Sequence, residues 1–470
     1  MHPLDLAGLA FYFVLLIVIG YLSSRRVKTS EDFAVAGNRI TWPILFATLA
    51  ASFLGGGASM GRAGKSFTDG YVFMFVAAAF PIATVLTGLY VAPKLKRYVG
   101  AHTVGDVMAH HYGAPSRLFT GLFSMIYCIG ILGAQALAIG TVFNAILGVE
   151  VSTGILLGMA VVLLYSTLGG MWAVIQTDVL QFLMLALFVP LTLLIGVQQV
   201  GGAEALIERL PEAHFSIMGD YSVGLFVSLF IAYLLGETLV PPYTQRALAA
   251  PDARNAKWGY SLAGGFGFLF YFCTATIGLV ALVLFPDISP DRALPELVRT
   301  ALPVGITGLV LAALLAVVMS TADSYLNSSA VVFVRDIYQS FIDPDVDERK
   351  RLWIERGVNL GIGIGAVLFA LYATSIIDAL LLSYALWAPT VLIPFVAAVV
   401  WDLNCKRAAL AAMLAGALVT IVWKWGPLDL QALTGMTALI AGVLTNIVVF
   451  VGVYRLARVP IPGAALGEER

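Results

Sequence analysis

The sequence predicts an all-α integral membrane protein, read as a single domain over residues 1–470, and three observations predict it. First, 60% of the 470 residues are hydrophobic and 12% are charged, about half the charged share of a soluble domain. Mean hydropathy is +0.92. Second, the apolar residues gather into stretches of the roughly 20 residues that a bilayer crossing needs. Third, two stretches carry groups that hydrocarbon cannot satisfy: Gly55-Gly56-Gly57, and Ser320-Thr321-Ala322-Asp323-Ser324. Three glycines cost a helix about 1 kcal/mol each and free carbonyls that lipid cannot pair. A carboxylate at membrane depth costs about 2.5–3.5 kcal/mol on insertion scales. Freed carbonyls, hydroxyls and a carboxylate together suit a small hard cation such as Na⁺.

The elements follow in order. Residues 1–5 contain Asp5 and no Lys or Arg, so the start does not read as a secretory signal. Arg25, Arg26 and Lys28 follow the first apolar run and place the N-terminus outside. Thirteen spans are read at 5–23, 43–67, 71–93, 118–148, 152–169, 175–198, 223–241, 259–285, 303–332, 357–374, 378–400, 408–424 and 434–455. An odd count puts the C-terminus inside. All but six of the 27 Lys and Arg then fall on the cytoplasmic side, the six being Arg62, Lys65, Arg209, Arg292, Arg299 and Lys424. Glu204, Glu208, Glu212, Asp287, Asp291 and Glu296 fall in outer loops. One missed or invented span would invert everything after it and spoil this bias. The inner loop 333–356 carries Arg349-Lys350-Arg351, an ordinary positive-inside anchor.

The second span is broken at Gly55-Gly56-Gly57. Five spans later the seventh is interrupted by Gly236 and ends at Pro241-Pro242. Paired broken helices in corresponding positions point to a transporter site at the midplane. Five spans is an odd number, so the two halves have opposite topology. The halves are residues 43–198 and 223–400, followed by two additional helices over 408–455.

Other classes find little support. Net charge is −1, which argues against nucleic acid. Cys128, Cys273 and Cys405 make no disulfide framework. His110-His111 lack the His-Glu-x-x-His spacing of a metalloprotease, and no Gly-x-Ser-x-Gly or phosphate loop occurs. The chain is not read as an enzyme. A channel built on repeated rings or a carbonyl filter does not fit one asymmetric site. No obligatory protein partner is evident; the partners read are a small solute, Na⁺ and the bilayer.

In the ninth span, positions 317, 320, 321 and 324 share one helix face. Ser320, Thr321 and Ser324 therefore point hydroxyls one way, with Asp323 beside them. A lone hydroxyl would bond back to its own helix; three beside a carboxylate point to a cation. Asp178 is the second intramembrane acid. It reads either as a helix cap after Gly169-Gly170 or as a cation ligand or proton acceptor.

Ala51-Ser52-Phe53-Leu54-Gly55-Gly56-Gly57, Thr177-Asp178-Val179-Leu180-Gln181, Gln245-Arg246-Ala247-Leu248, Met319-Ser320-Thr321-Ala322-Asp323-Ser324 and Arg335-Asp336-Ile337-Tyr338 together resemble the sodium:solute symporter family. That resemblance implies a leucine-transporter-like fold: two inverted five-helix repeats, one helix before them and two after. It implies a Na⁺ site formed by the carbonyls of Ala51, Leu54 and Val317 and the hydroxyls of Ser320 and Thr321. It implies a possible second Na⁺ or proton site at Asp178, Ser320, Asp323 and Ser324, since two close carboxylates hold a proton unless a cation sits between them.

The motifs are nearest the choline-transporter branch, but Phe53 and the Pro241-Pro242 region stand where the tryptophans of an aromatic cage are expected. The substrate candidates are Phe53, Gly56, Arg62, Glu237, Tyr384 and Trp387. Arg62 reads either as a partner for Asp69 or as the group that captures a substrate carboxylate. Glu237 could accept an amine or pair with Arg62. The reading is a sodium-coupled symporter of the plasma membrane (the inner membrane in a bacterium). It imports a small polar solute, an amino acid or carboxylate. Proton coupling and a choline or betaine substrate are the alternatives.

Overall fold

The computed structural model describes residues 2–301, 306–373 and 375–458, and every regular element among them is helical. The elements that position the site are α1 (Pro3–Ser24), α2 (Trp42–Phe53), α3 (Arg62–Asp69), α4 (Val72–Tyr90), α5 (Val104–Tyr112), α6 (Ala114–Leu147) and α7 (Val151–Val200). There follow α8 (Val223–Leu235), α9 (Pro241–Ala249), α10 (Ala253–Leu284), α11 (Ile306–Val332), α12 (Glu348–Tyr372), α13 (Ile376–Trp387), α14 (Ile393–Trp401), α15 (Lys406–Trp425) and α16 (Ala438–Arg458). Among the described residues, ten helices are long and apolar enough to cross a membrane, or eleven when the bent pair α2–α3 counts as one.

The expected breaks occur, with changed details. Between α2 and α3 the chain bends by 61°. It passes through a wide turn over Gly57–Gly61, in which the Gly61 amide donates to the Gly56 carbonyl at 2.8 Å. The expected span 223–241 stops at Leu235. Pro241-Pro242 does not end that helix but starts α9, because a proline in the first turn needs no amide partner. The expected turn over 170–174 is a correction too. Helical structure runs on to Val200, broken only at Gly170 (φ 50°, ψ −150°), where any Cβ would sit 2.5 Å from the Phe33 ring. The span expected at 357–374 begins earlier, at Glu348. Position 374, and positions 303–305 of the span expected at 303–332, lie outside the described residues.

α11 is the central helix: 89% of its most apolar window is buried inside the protein, against 28% for α1. It packs on α7, α6 and α1. Buried Asp5 on α1 holds its N-terminal end, accepting a hydrogen bond from the Gly308 amide at 2.9 Å. A helix surrounded by protein can carry polar groups that lipid would reject. This is how Ser320, Thr321, Asp323, Ser324, Asn327 and Ser328 come to share it, all of them buried.

Candidate functional site

Where the break after α2 crosses α11, hydroxyls meet carbonyls. Ser320 Oγ donates to the Ala51 carbonyl at 2.8 Å and to the Val317 carbonyl at 2.9 Å. Thr321 Oγ1 donates to the Ser52 carbonyl at 2.9 Å. A donating hydroxyl keeps two lone pairs, so the oxygens of Ala51, Val317, Ser320 and Thr321 form a compact hard-ligand set without a formal charge. Leu54 is the first residue past α2, with its amide on the Ala50 carbonyl. The close approach needs glycine. A Cβ on Gly55 would fall 2.3 Å from Thr321 Oγ1 and 2.7 Å from Gln135 Oε1. Gly55→Ala is therefore expected to push α11 off the break and abolish stabilisation by Na⁺, read as loss of the NaCl-dependent shift in melting temperature; an unchanged shift would count against this site.

Toward the α9 side lies a second cluster. Arg246 Nη2 donates to Asp178 Oδ2 at 2.9 Å and to Ser324 Oγ at 2.6 Å. Arg246 Nε donates to Thr48 Oγ1 at 2.9 Å, and Thr48 in turn donates to Asp178. Both members of the ion pair are fully buried. Asp178 sits inside α7 beyond the Gly170 break, so it is not a helix cap. Ser52 Oγ and Ser324 Oγ are 2.9 Å apart. Asp323 lies beside this cluster: its Oδ1 accepts from Ser324 Oγ at 3.4 Å, and its Oδ2 accepts from Tyr165 at 2.8 Å and from Thr177 at 3.4 Å. Arg246 thus pairs with Asp178 alone of the two acids, and Asp178 Oδ1 has no hydrogen-bond partner.

The third feature is a narrow cavity at the break, lined by Phe53, Gly55, Gly57, Arg62, Glu237 and Tyr384, together with Gln135, Tyr233, Tyr271, Thr321 and Leu380. Arg62 is 2% exposed. Its guanidinium carbon lies 3.2 Å from the Tyr271 ring centroid, and Nη1 donates to the Ala58 carbonyl at 3.2 Å. Asp69 does not pair with it; that acid lies 4.0 Å from Lys65 and accepts from Tyr221 at 2.5 Å. Among the described residues no carboxylate comes within 4.0 Å of the Arg62 guanidinium, Glu237 included. Glu237 instead collects three phenols: Tyr243 and Tyr325 (3.3 Å) donate to Oε1, and Tyr384 donates to Oε2 at 2.7 Å.

Two substrate candidates stand off the cavity. Gly56 gives its amide to Gln135 Oε1 at 2.7 Å, and Trp387 gives Nε1 to the Thr238 carbonyl at 3.0 Å, bracing the break between α8 and α9. No tryptophan lines the cavity among the described residues. Phe53 and three tyrosines line the cavity, although the one cation–π contact there is already made by Arg62 on Tyr271. Gln135, Tyr233, Tyr271, Tyr243 and Tyr325 were not anticipated. Tyr233 stands one helical turn before Glu237 in sequence, a usable signal; Tyr271 and Gln135 offer none. Asp291 lies near Lys65 and Asp378, and burial pushes its carboxyl above the ordinary range while the Ile376 amide pulls partly the other way.

Comparison with known proteins shows the family and the fold. The family model described as the sodium:solute symporter family matches residues 33–416. The high-affinity proline transporter PutP of Bacillus subtilis (strain 168) is 26% identical, covering 87% of this chain and 89% of its own. The sodium/glucose cotransporter of Vibrio parahaemolyticus is also 26% identical, covering 92% and 87%. In fold, the chain is similar to the substrate-bound outward-open structure of a Na⁺-coupled sialic acid symporter, with TM-score 0.86, 19% identity and coverage of 97% and 98%. MhsT in complex with L-phenylalanine is more distant, at TM-score 0.58 and 16% identity over 88% of this chain and 99% of that one.

Proposed function

Because the chain belongs to the sodium:solute symporter family, a family of transporters rather than enzymes, we propose that it couples inward Na⁺ flow to uptake of a small solute bearing a carboxylate. The observation that carries this reading is the seam where the Ser320 and Thr321 hydroxyls meet the Ala51 and Ser52 carbonyls. Na⁺ there would take the carbonyls of Ala51, Leu54 and Val317 and the hydroxyls of Ser320 and Thr321. A cation bridging the break and α11 stabilises the arrangement in which Gly55, Gly57 and Thr321 wall the cavity, and so couples ion to solute. This differential stabilisation is what any ligand-driven shift between states requires.

Thirteen crossings remain the preferred topology. At about 1.5 Å per residue a helix of α7's length is over twice the roughly 30 Å hydrocarbon core, so the Gly170 break divides two crossings. Counting α2–α3 and α8–α9 as one broken crossing each brings the ten long helices to thirteen. The two broken pairs then open inverted repeats over 43–198 and 223–400, with the N-terminus outside and the C-terminus inside.

For the solute, Arg62 is the free charge, and its stacked, buried guanidinium suits a carboxylate. Glu237 accepts one hydrogen bond on Oε2, leaving room for an amine, so an amino acid is the second form of the same reading. Asp178 is committed to Arg246 in this arrangement; a second cation at Asp178, Asp323 and Ser324 would have to displace that contact. The test is a thermal-shift screen of purified protein against amino acids, short monocarboxylates, betaine and choline, in NaCl and in N-methylglucamine chloride. A carboxylate that stabilises only with Na⁺ is expected, and Arg62→Gln should remove that stabilisation while keeping the response to Na⁺ alone. Stabilisation by choline but by no carboxylate would overturn the substrate class.

A further inference from the structure

On the side of α11 turned away from the cavity, a row of buried polar groups lacks partners. Asn327 lies one turn beyond Asp323, at the i, i+4 spacing that stacks side chains on one face. It is fully buried, and neither Oδ1 nor Nδ2 is hydrogen-bonded. Asn359 on α12 is in the same condition, with both side-chain heteroatoms unpartnered. One turn nearer the start of α12, buried Glu355 accepts from Ser30 Oγ at 2.6 Å through Oε1, while Oε2 is unpartnered. Ser166 Oγ on α7 is buried and unpartnered as well.

Printed contacts fix the level of these groups. Arg356 Nη2 donates to the Leu168 carbonyl at 3.3 Å. A Cβ on Gly363 would meet the Leu163 side chain at 2.2 Å. Asn359, between those two on α12, is therefore level with the α7 stretch that holds Ser166 and Tyr165. Tyr165 is the residue that donates to Asp323. The three helices α7, α11 and α12 pack on one another in pairs. At the far end, the Ser30 amide donates to Glu348 Oε2 at 2.9 Å, and the Glu348 side chain is 55% exposed. The polar row thus runs from Asp323 past the two asparagines and Glu355 to the surface at the Arg349-Lys350-Arg351 end of α12.

An unpartnered buried donor or acceptor costs about 1–3 kcal/mol, and buried polar groups in folded proteins are met by protein or by water. Four such atoms on two asparagines, aligned with a carboxylate, are what a hydrated path needs and what a dry helix interface avoids. We propose that Asn327, Asn359 and Glu355 line a hydrated passage between α7, α11 and α12. Through it the coupling cation leaves for the cytoplasm, apart from the cavity that carries the solute. Amide and carboxylate oxygens are suitable stepping ligands for Na⁺. The proposal rests on the Na⁺-symport reading above.

The test uses the full chain with Cys128, Cys273 and Cys405 replaced by alanine, in vesicles exposing the cytoplasmic face. Asn359→Cys is expected to react with methanethiosulfonate ethylammonium about tenfold faster than Ala366→Cys, a fully buried apolar position two turns deeper on α12. NaCl should slow that reaction relative to N-methylglucamine chloride. Equal rates at the two cysteines would overturn the passage. In a second measurement, Asn359→Leu should slow radioactive sodium exchange across proteoliposomes about tenfold, with the Na⁺-dependent melting shift kept, and Asn359→Ser should restore exchange. A leucine variant that melts higher and exchanges sodium normally would show a dry, merely unsatisfied asparagine and would also overturn it. Absence of any Na⁺-dependent melting shift in the unmodified protein would overturn the symport reading itself, independently of the cysteine rates.

Discussion

Arg246→Met is expected to lower stability by about 3–5 kcal/mol, the cost of leaving one member of a buried pair uncompensated. Its guanidinium satisfies Asp178, Thr48, Ser324 and the Pro242 carbonyl at once. Removing it strands the Asp178 carboxylate where neither residue of the pair is exposed. Asp178→Asn should be comparably harmful from the other side. The double variant Asp178→Asn with Arg246→Met should recover most of the loss, because a neutral pair of similar volume is often no worse than the ion pair it replaces. Melting temperatures of the four proteins in detergent, with Na⁺ held constant, make the cycle. Additive losses in the double variant would show that the two residues do not act as a pair. The cluster ties α9 to α2, α7 and α11.

The second large effect concerns the seam itself. Ser320→Ala combined with Thr321→Val removes two hydroxyls while nearly preserving volume. Hydrogen bonds and ligand contacts to a charged partner are worth about 1.5–3 kcal/mol each, so the pair should weaken Na⁺ by about 100-fold or more. The NaCl concentration needed for half-maximal thermal stabilisation measures this directly. A matched control is Ser328→Ala, two turns along the same face, which bonds Gln245 rather than the break; it should leave the Na⁺ midpoint in place. An unchanged midpoint in the Ser320/Thr321 variant would remove the cation from this seam.

Much of this was written into local sequence. Gly55-Gly56-Gly57 announced a break because three glycines in an apolar run have no cheaper explanation, and the chain does bend there. The Ser320–Ser324 hydroxyls announced a polar face by spacing alone, and that face meets the break. Local pattern misjudged Pro241-Pro242, because a proline pair ends one helix and begins another with equal ease. It treated Arg246 as one more cytoplasmic charge, since nothing in Gln245-Arg246 tells that the side chain turns inward. It left Glu237 between an amine and Arg62, and its three phenolic partners come from Tyr243, Tyr325 and Tyr384, two of them on distant helices.

The division has a physical cause. Sequence alone determined what a bilayer imposes on each segment separately: span length, polar spacing along a helix, and the places where backbone pairing must fail. Tertiary structure decided the partners. Whether a buried charge faces a carboxylate, a ring or a ligand depends on which distant helix lies opposite. Asp178 on Arg246, Arg62 on Tyr271, and Asn327 and Asn359 on nothing are outcomes of packing that no single segment encodes.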